Sequence, residues 1–120
     1  MGKCLKGYGE TWMSNRDYEL RYLPLFYEDL NQTVQYIAFE LENRKAAEDL
    51  IDAVETAILE RLPMAESFEQ YPSPTERRYP YYRIYVGNFI VFYVVIDEDD
   101  KKIMEVRRFL YMGRNIETIL

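Results

Sequence analysis

The stretch from Tyr81 to Ile96 leaves this chain few folds to choose from: two β-rich runs meet at Gly87-Asn88, a pair suited to a tight hairpin turn. The second run, Phe89 to Ile96, is apolar or aromatic at every position, and the Tyr93 hydroxyl is its one polar side-chain group. Such a run predicts a central strand covered on both faces, since β-branched and aromatic residues suit a pleated surface. The first run alternates instead. Tyr82, Ile84 and Val86 point one way, Arg83 and Tyr85 the other. An arginine and a tyrosine on the open face of a half-buried strand form the first candidate site.

The rest of the chain supplies cover for this sheet and further strands. Tyr18 to Leu23 alternates, with Tyr18, Leu20 and Tyr22 on one face, and Pro24 stops it while opening a helix. From Leu25 the period becomes helical: Phe26, Leu30, Val34, Ile37, Ala38 and Leu41 form one stripe, with Glu28, Asp29, Gln32 and Gln35 on the other side. Asn43-Arg44-Lys45 is a polar break of the length that joins antiparallel helices. A second stripe, Ala47, Leu50, Ile51, Val54, Ala57, Ile58 and Leu62, runs up to Pro63. Two helices with one apolar face predict an α-hairpin lying on the sheet.

Met64 to Pro80, with its prolines, predicts a long irregular connection that tucks Phe68 and Tyr71 inward. After the central hairpin, Asp97 to Lys101 forms an acidic turn and Lys102 to Phe109 a last strand. Strict alternation puts Ile103, Glu105, Arg107 and Phe109 on one face of it, and Met104, Val106 and Arg108 on the other. Ile116 to Leu120 suits a helical turn in the tail. The expected fold is α+β, in the order β-α-α-β-β-β, with a mainly antiparallel sheet. Residues 1–14, with three glycines and no periodicity, are expected to be a poorly ordered extension, with Met13 an alternative natural start to Met1. Residues 15–120 form one domain.

Charge is uneven along the chain. Residues 1–70 hold 7 Lys and Arg against 14 Asp and Glu, while residues 71–120 hold 8 against 7. The net charge of −6 disfavours non-specific nucleic-acid binding, whose affinity comes from neutralising phosphates. A local basic site belongs to the second half, among Arg77, Arg78, Arg83, Arg107, Arg108 and Arg114. The single Cys4 forbids an intramolecular disulfide and suggests a reducing, cytoplasmic setting. The N-terminus lacks the apolar stretch of a secretion signal, and Lys6 breaks the myristoylation pattern at Gly2.

With no histidine, Ser-His-Asp and Cys-His nucleophiles are excluded, and one cysteine leaves zinc without ligands. The carboxylates from Asp97 to Asp100 lack the Gly and Glu that an EF-hand needs at its sixth and twelfth positions; Lys102 and Arg108 stand there. They suit a solvated hairpin turn. Arginines and tyrosines remain. Arg83 with Tyr85 can hold a phosphate and stack on or hydrogen-bond a base; the alternative is a cross-strand pair between Arg83 and Glu105, or a surface arginine. Arg107 and Arg108 point to opposite faces, so at most one joins Arg83. Arg114 follows Gly113 at the exit of the last strand, where a flexible backbone can turn it over the sheet.

The element order, the segment Tyr82-Arg83-Ile84-Tyr85-Val86-Gly87-Asn88-Phe89-Ile90-Val91-Phe92-Tyr93, the acidic turn, and Arg107 to Arg114 together resemble the RelE/ParE family of bacterial type II toxins. The resemblance covers about Tyr18 to Leu120. It implies a small α+β fold and a cognate antitoxin that wraps the toxin, with the α-hairpin edge and the open sheet face as the expected interface. It implies no metal or cofactor.

Two activities occur in the family: ParE-like inhibition of DNA gyrase, and RelE-like cleavage of mRNA on the translating ribosome. Arg83 matches a basic site residue of the second strand, and Arg114 matches the arginine after the last strand. Tyr85 stands at the second basic position, Ile90 replaces the usual central-strand arginine, and the nuclease type's C-terminal tyrosine has no counterpart. The expected function is therefore gyrase inhibition, the alternatives being the endonuclease or a non-toxic member that only binds antitoxin. In the endonuclease, Arg83, Tyr85 and Arg114 would be the catalytic residues.

Overall fold

The computed structural model describes residues 18–72 and 78–120, so the expected N-terminal extension and the choice between Met1 and Met13 lie outside the described residues. Strand β1 spans Tyr18–Tyr22, helix α1 Pro24–Gln35, helix α2 Arg44–Arg61, strands β2 Tyr82–Val86, β3 Phe89–Glu98 and β4 Lys101–Tyr111, and a short helix α3 Ile116–Ile119. The strands form one sheet in the order β1-β4-β3-β2. β1 is parallel to β4, and the other pairs are antiparallel. The α+β order expected from the sequence is the order observed.

Helix α1 starts at Pro24, whose missing N–H costs nothing in a first turn. A single wider π turn, Tyr36–Glu40, follows it, closed by the Leu41 N–H donating to the Tyr36 carbonyl at 3.1 Å. Asn43 caps α2, its side chain accepting from the Ala46 N–H at 3.0 Å. A 3₁₀ turn at Leu62–Met64 takes α2 out past Pro63.

The sheet is covered on both sides, as the unbroken apolar run of β3 requires. On the helix side, Phe26, Val54 and Ile58 pack on Tyr82, Ile84, Val91, Tyr93, Met104, Val106 and Phe109. On the other side Ile90, Phe92, Val94, Ile96, Ile103 and Leu110 lie under Tyr71, Tyr79, Tyr81, Ile116, Ile119 and Leu120. The C-terminal segment is thus part of the second core, where alternation alone had suggested an open face.

Both hairpin turns have two central residues. Gly87 has φ +58, the positive value that glycine tolerates at the first position of a II′ turn. Asp99 and Asp100 both have positive φ, 51 and 64, as a I′ turn demands.

β4 departs from strict alternation. Phe92 pairs with Arg108 and Tyr93 with Val106, so Arg107 is the extra residue of a β-bulge. Beyond the bulge Phe109 turns to the helix side, stacked on Phe89 at 4.9 Å, and Leu110 takes the second face. Expecting Phe109 to share a face with Ile103 and Glu105 was therefore incorrect. The bulge shifts the register by one residue and so reverses the face of Phe109, while Arg108 still reaches Asp29 of α1.

Candidate functional site: a guanidinium between tyrosines on the edge strand

β2 is an edge strand, and its Arg83 and Tyr85 project to the face opposite the helices, as alternation predicts. The Arg83 guanidinium lies 5.2 Å from the Tyr71 ring centre and 5.9 Å from that of Tyr85, distances at which a cation is attracted to the ring quadrupole. Its side chain is 22% exposed, and the Glu69 carboxylate stands 4.0 Å away, at the limit of an ion pair. Tyr85 is 56% exposed and presents its ring outward. Tyr71 reaches the site because its N–H donates to the Tyr81 carbonyl at 2.6 Å, and its ring meets Phe92 edge-on at 5.2 Å.

The expected alternative partner of Arg83 is not its partner. Opposite Arg83 on β3 is Phe92, while Glu105 is opposite Val94, two residues further along. The Glu105 carboxylate, in a residue only 5% exposed, accepts from Arg21 Nε at 2.9 Å and Arg107 Nε at 2.8 Å. Arg21 arrives there because β1 pairs in parallel with β4, with Arg21 level with Glu105. Arg108 points the other way and forms a two-pronged pair with Asp29 of α1. Neither arginine of the bulge joins Arg83.

Arg114 is exposed, in the turn after β4 that is held by its own N–H donating to the Tyr111 carbonyl at 3.1 Å. At Gly113 a Cβ would lie 2.4 Å from the Tyr111 ring, so a larger residue there would displace that half-exposed side chain. Among the described residues, no hydrogen bond, ion pair or ring contact links Arg114 to Arg83 or Tyr85. The structure thus joins two of the three expected site residues and leaves the third apart. Ile90, at the position that carries an arginine in the resembling proteins, is buried in the second core.

The residue that sequence patterning missed is Arg61, in the last turn of α2. Its Nη1 donates to the Arg83 carbonyl at 3.1 Å and to the Tyr93 hydroxyl at 3.0 Å, and its guanidinium covers the Phe68 ring at 3.5 Å. Tyr93 in turn donates to the Ala65 carbonyl at 2.6 Å. Burial pushes the Tyr93 pKa up, against the opposing pull of the Arg61 charge. Arg61 therefore fixes the backbone of the strand that carries Arg83. The signal available was slight: one cation in the last turn of a helix whose other two cations stand at its start, beside a buried strand with a single hydroxyl to satisfy.

Comparison with known proteins agrees with this architecture. The family model described as the ParE toxin of type II toxin–antitoxin system, parDE, matches residues 20–116, from within β1 to the start of α3. No curated protein matches the chain. Among the described residues, no helix is long and apolar enough to cross a membrane. The match covers most of the chain and every strand that builds the site, so the chain belongs to the ParE toxin family of type II toxin–antitoxin systems.

Proposed function

We propose that this toxin acts in the cytoplasm as a ParE-like inhibitor of DNA gyrase, working by protein binding, and that its cognate antitoxin neutralises it by docking on the α-hairpin. The observation that carries this is that, among the described residues, no other cation shares the Tyr71 and Tyr85 rings with Arg83, while Arg61 reaches only its carbonyl. Cleavage by a ribose 2′-hydroxyl needs a group to accept its proton and positive charge on the developing phosphorane. Among the described residues, Arg107 and Arg21 are spent on Glu105, Arg108 is spent on Asp29, and position 90 is a buried isoleucine. The parDE assignment of the family model supports the same choice.

A supercoiling assay with purified gyrase tests it. Relaxed plasmid persisting in the presence of the toxin is the expected result. Full supercoiling, together with codon-phased cuts on translated message in a cell-free system, would replace it with ribosome-dependent mRNA cleavage. One feature favours that second reading: Arg83 held between two tyrosine rings is an arrangement suited to a phosphate and its base.

A further inference from the structure

The sheet face away from the helices carries a second group of cations, apart from Arg83. Arg21 of β1 and Arg107 of the β4 bulge converge on one carboxylate, Arg21 Nε donating to Glu105 Oε2 at 2.9 Å and Arg107 Nε to Oε1 at 2.8 Å. Glu105 belongs to this face because it lies opposite Val94, a member of the second core. Strand β3 separates the group from Arg83, since β4 and β2 are not neighbours. Arg107 is held from another side by a hydrogen bond with the Tyr81 hydroxyl. Arg21 is the more open of the two, its side chain 43% exposed against 30% for Arg107.

Two guanidiniums on one carboxylate leave the charge unbalanced. The cluster keeps one positive charge in excess, and the two like charges repel each other beside a largely buried Glu105. Among the described residues, no second carboxylate meets either arginine. Glu19 shares the face, level with Ile103, but makes no ion pair there. Arg21 gives Glu105 its Nε, and among the described residues its Nη atoms have no acceptor. A guanidinium is a planar fork that can serve two oxyanions at once, one through Nε and one through its outer edge. Because Glu105 already orders both side chains, a second anion finds them in place and little rotamer entropy remains to be lost.

Charge and shape select a carboxylate. The excess is one unit, and Glu105 itself shows that the two forks take this group, one oxygen each. A nucleic-acid strand brings a run of phosphates, which the net charge of −6 and the nearby Glu19 oppose. We infer that Arg21 and Arg107, pre-positioned by Glu105, form a binding site for a side-chain carboxylate of another polypeptide, with Arg21 supplying the fork and Arg107 the second cation. The site lies across the sheet from the α-hairpin and is independent of Arg83.

The test follows the Nε–Hε signals of Arg21 and Arg107 by NMR in the full chain, both protons being held in hydrogen bonds. The probes are a short alanine-based peptide carrying two glutamates, the same peptide with glutamines, and a thymidine oligonucleotide. The glutamate peptide should shift both signals saturably, and the glutamine peptide should bind about tenfold more weakly or worse. The oligonucleotide should leave the signals unmoved. Arg21→Lys keeps the charge without the fork and should weaken peptide binding about fivefold or more. Arg21→Gln should abolish it, whereas Arg44→Gln, which removes an exposed charge elsewhere, should not change it. Lysine preserves the pairing with Glu105, so that variant decides the matter even if the glutamine variant does not fold. The inference is overturned if the glutamate peptide moves neither signal, if the glutamine peptide binds equally well, or if Arg21→Lys binds as tightly as the parent. It is also overturned if Arg44→Gln weakens binding as much as the Arg21 variants, or if the oligonucleotide shifts the same signals as strongly, which would make this a phosphate site.

Discussion

The Asp29 carboxylate of α1 receives both prongs of the Arg108 guanidinium, Nε at 2.7 Å and Nη2 at 3.0 Å, and also accepts from the Phe109 N–H at 3.0 Å. One side chain thus fastens a helix to the irregular point of the strand beneath it. β1 pairs with β4 only as far as Val106, and beyond it Asp29 supplies the acceptor for the Phe109 N–H. Both side chains are largely buried. Asp29→Ala strands the Arg108 charge and the Phe109 N–H together, and should cost about 3 kcal/mol. Urea unfolding measures it. The Asp29→Ala/Arg108→Ala double variant should lose clearly less than the sum of the two single losses.

Arg61 should behave as the second fastening. Arg61→Ala removes two hydrogen bonds and the contact with Phe68, for a loss of about 2 kcal/mol. Tyr93→Phe leaves the Ala65 carbonyl unmet and should lose about 1.5 kcal/mol. A double-mutant cycle should find the two residues coupled by about 1 kcal/mol, and additive losses would contradict the shared hydrogen bond.

Alkaline pH should expose a weak point in β1. Burial, with Tyr27 and Glu55 nearby, pushes the Tyr22 pKa up from 10.0 to about 12. A raised folded-state value means that the neutral phenol is favoured by folding. Its contribution is complete below pH 10 and is lost as pH climbs toward 12. Tyrosinate absorbance and circular dichroism followed together should show late ionisation accompanied by unfolding. Tyr22→Phe should unfold at a higher pH than the parent.

The Asp99-Asp100 turn stores a little strain, because both residues sit at positive φ. Asp100→Gly relieves it at some cost in unfolded-chain entropy, for a net gain of about 0.5 kcal/mol. Thermal unfolding reads the gain directly.

For function, Arg83→Ala/Arg114→Ala separates the two activities. As a gyrase inhibitor the double variant should arrest growth and block supercoiling within about threefold of the parent, a change of well under 1 kcal/mol. Loss of growth arrest with a folded chain would point to the nuclease.

What the sequence disclosed was whatever depends on period and local chemistry. Phe89 to Ile96 announced a strand covered on both faces, Tyr18-Leu20-Tyr22 a short first strand, and the two apolar stripes their helices. Arg83 and Tyr85 share a face for the same reason. Long-range partner choice was hidden. Asp29 looked like one more solvated carboxylate on the polar side of α1, because nothing local reveals that a bulge lies opposite it. That bulge also carried Phe109 to the unexpected face. The pairing of Glu105 with Arg21 follows from β1 lying beside β4, which adjacency in the chain does not suggest.

That last arrangement bears on synthesis. Arg21 and Glu105 are 84 positions apart, and among the described residues β4 is the strand that pairs with both β1 and β3. In a nascent chain emerging in order, α2 can meet the β2–β3 hairpin through Arg61 and Tyr93, but the first strand has no partner until β4 is made. The loop that must close is long, and its closure entropy is met only when β4 arrives. Prematurely terminated chains lacking β4 would leave β1 unpaired and the helices without half of their floor. Such fragments should be protease-sensitive and harmless, so the poison exists only once its last strand has been made.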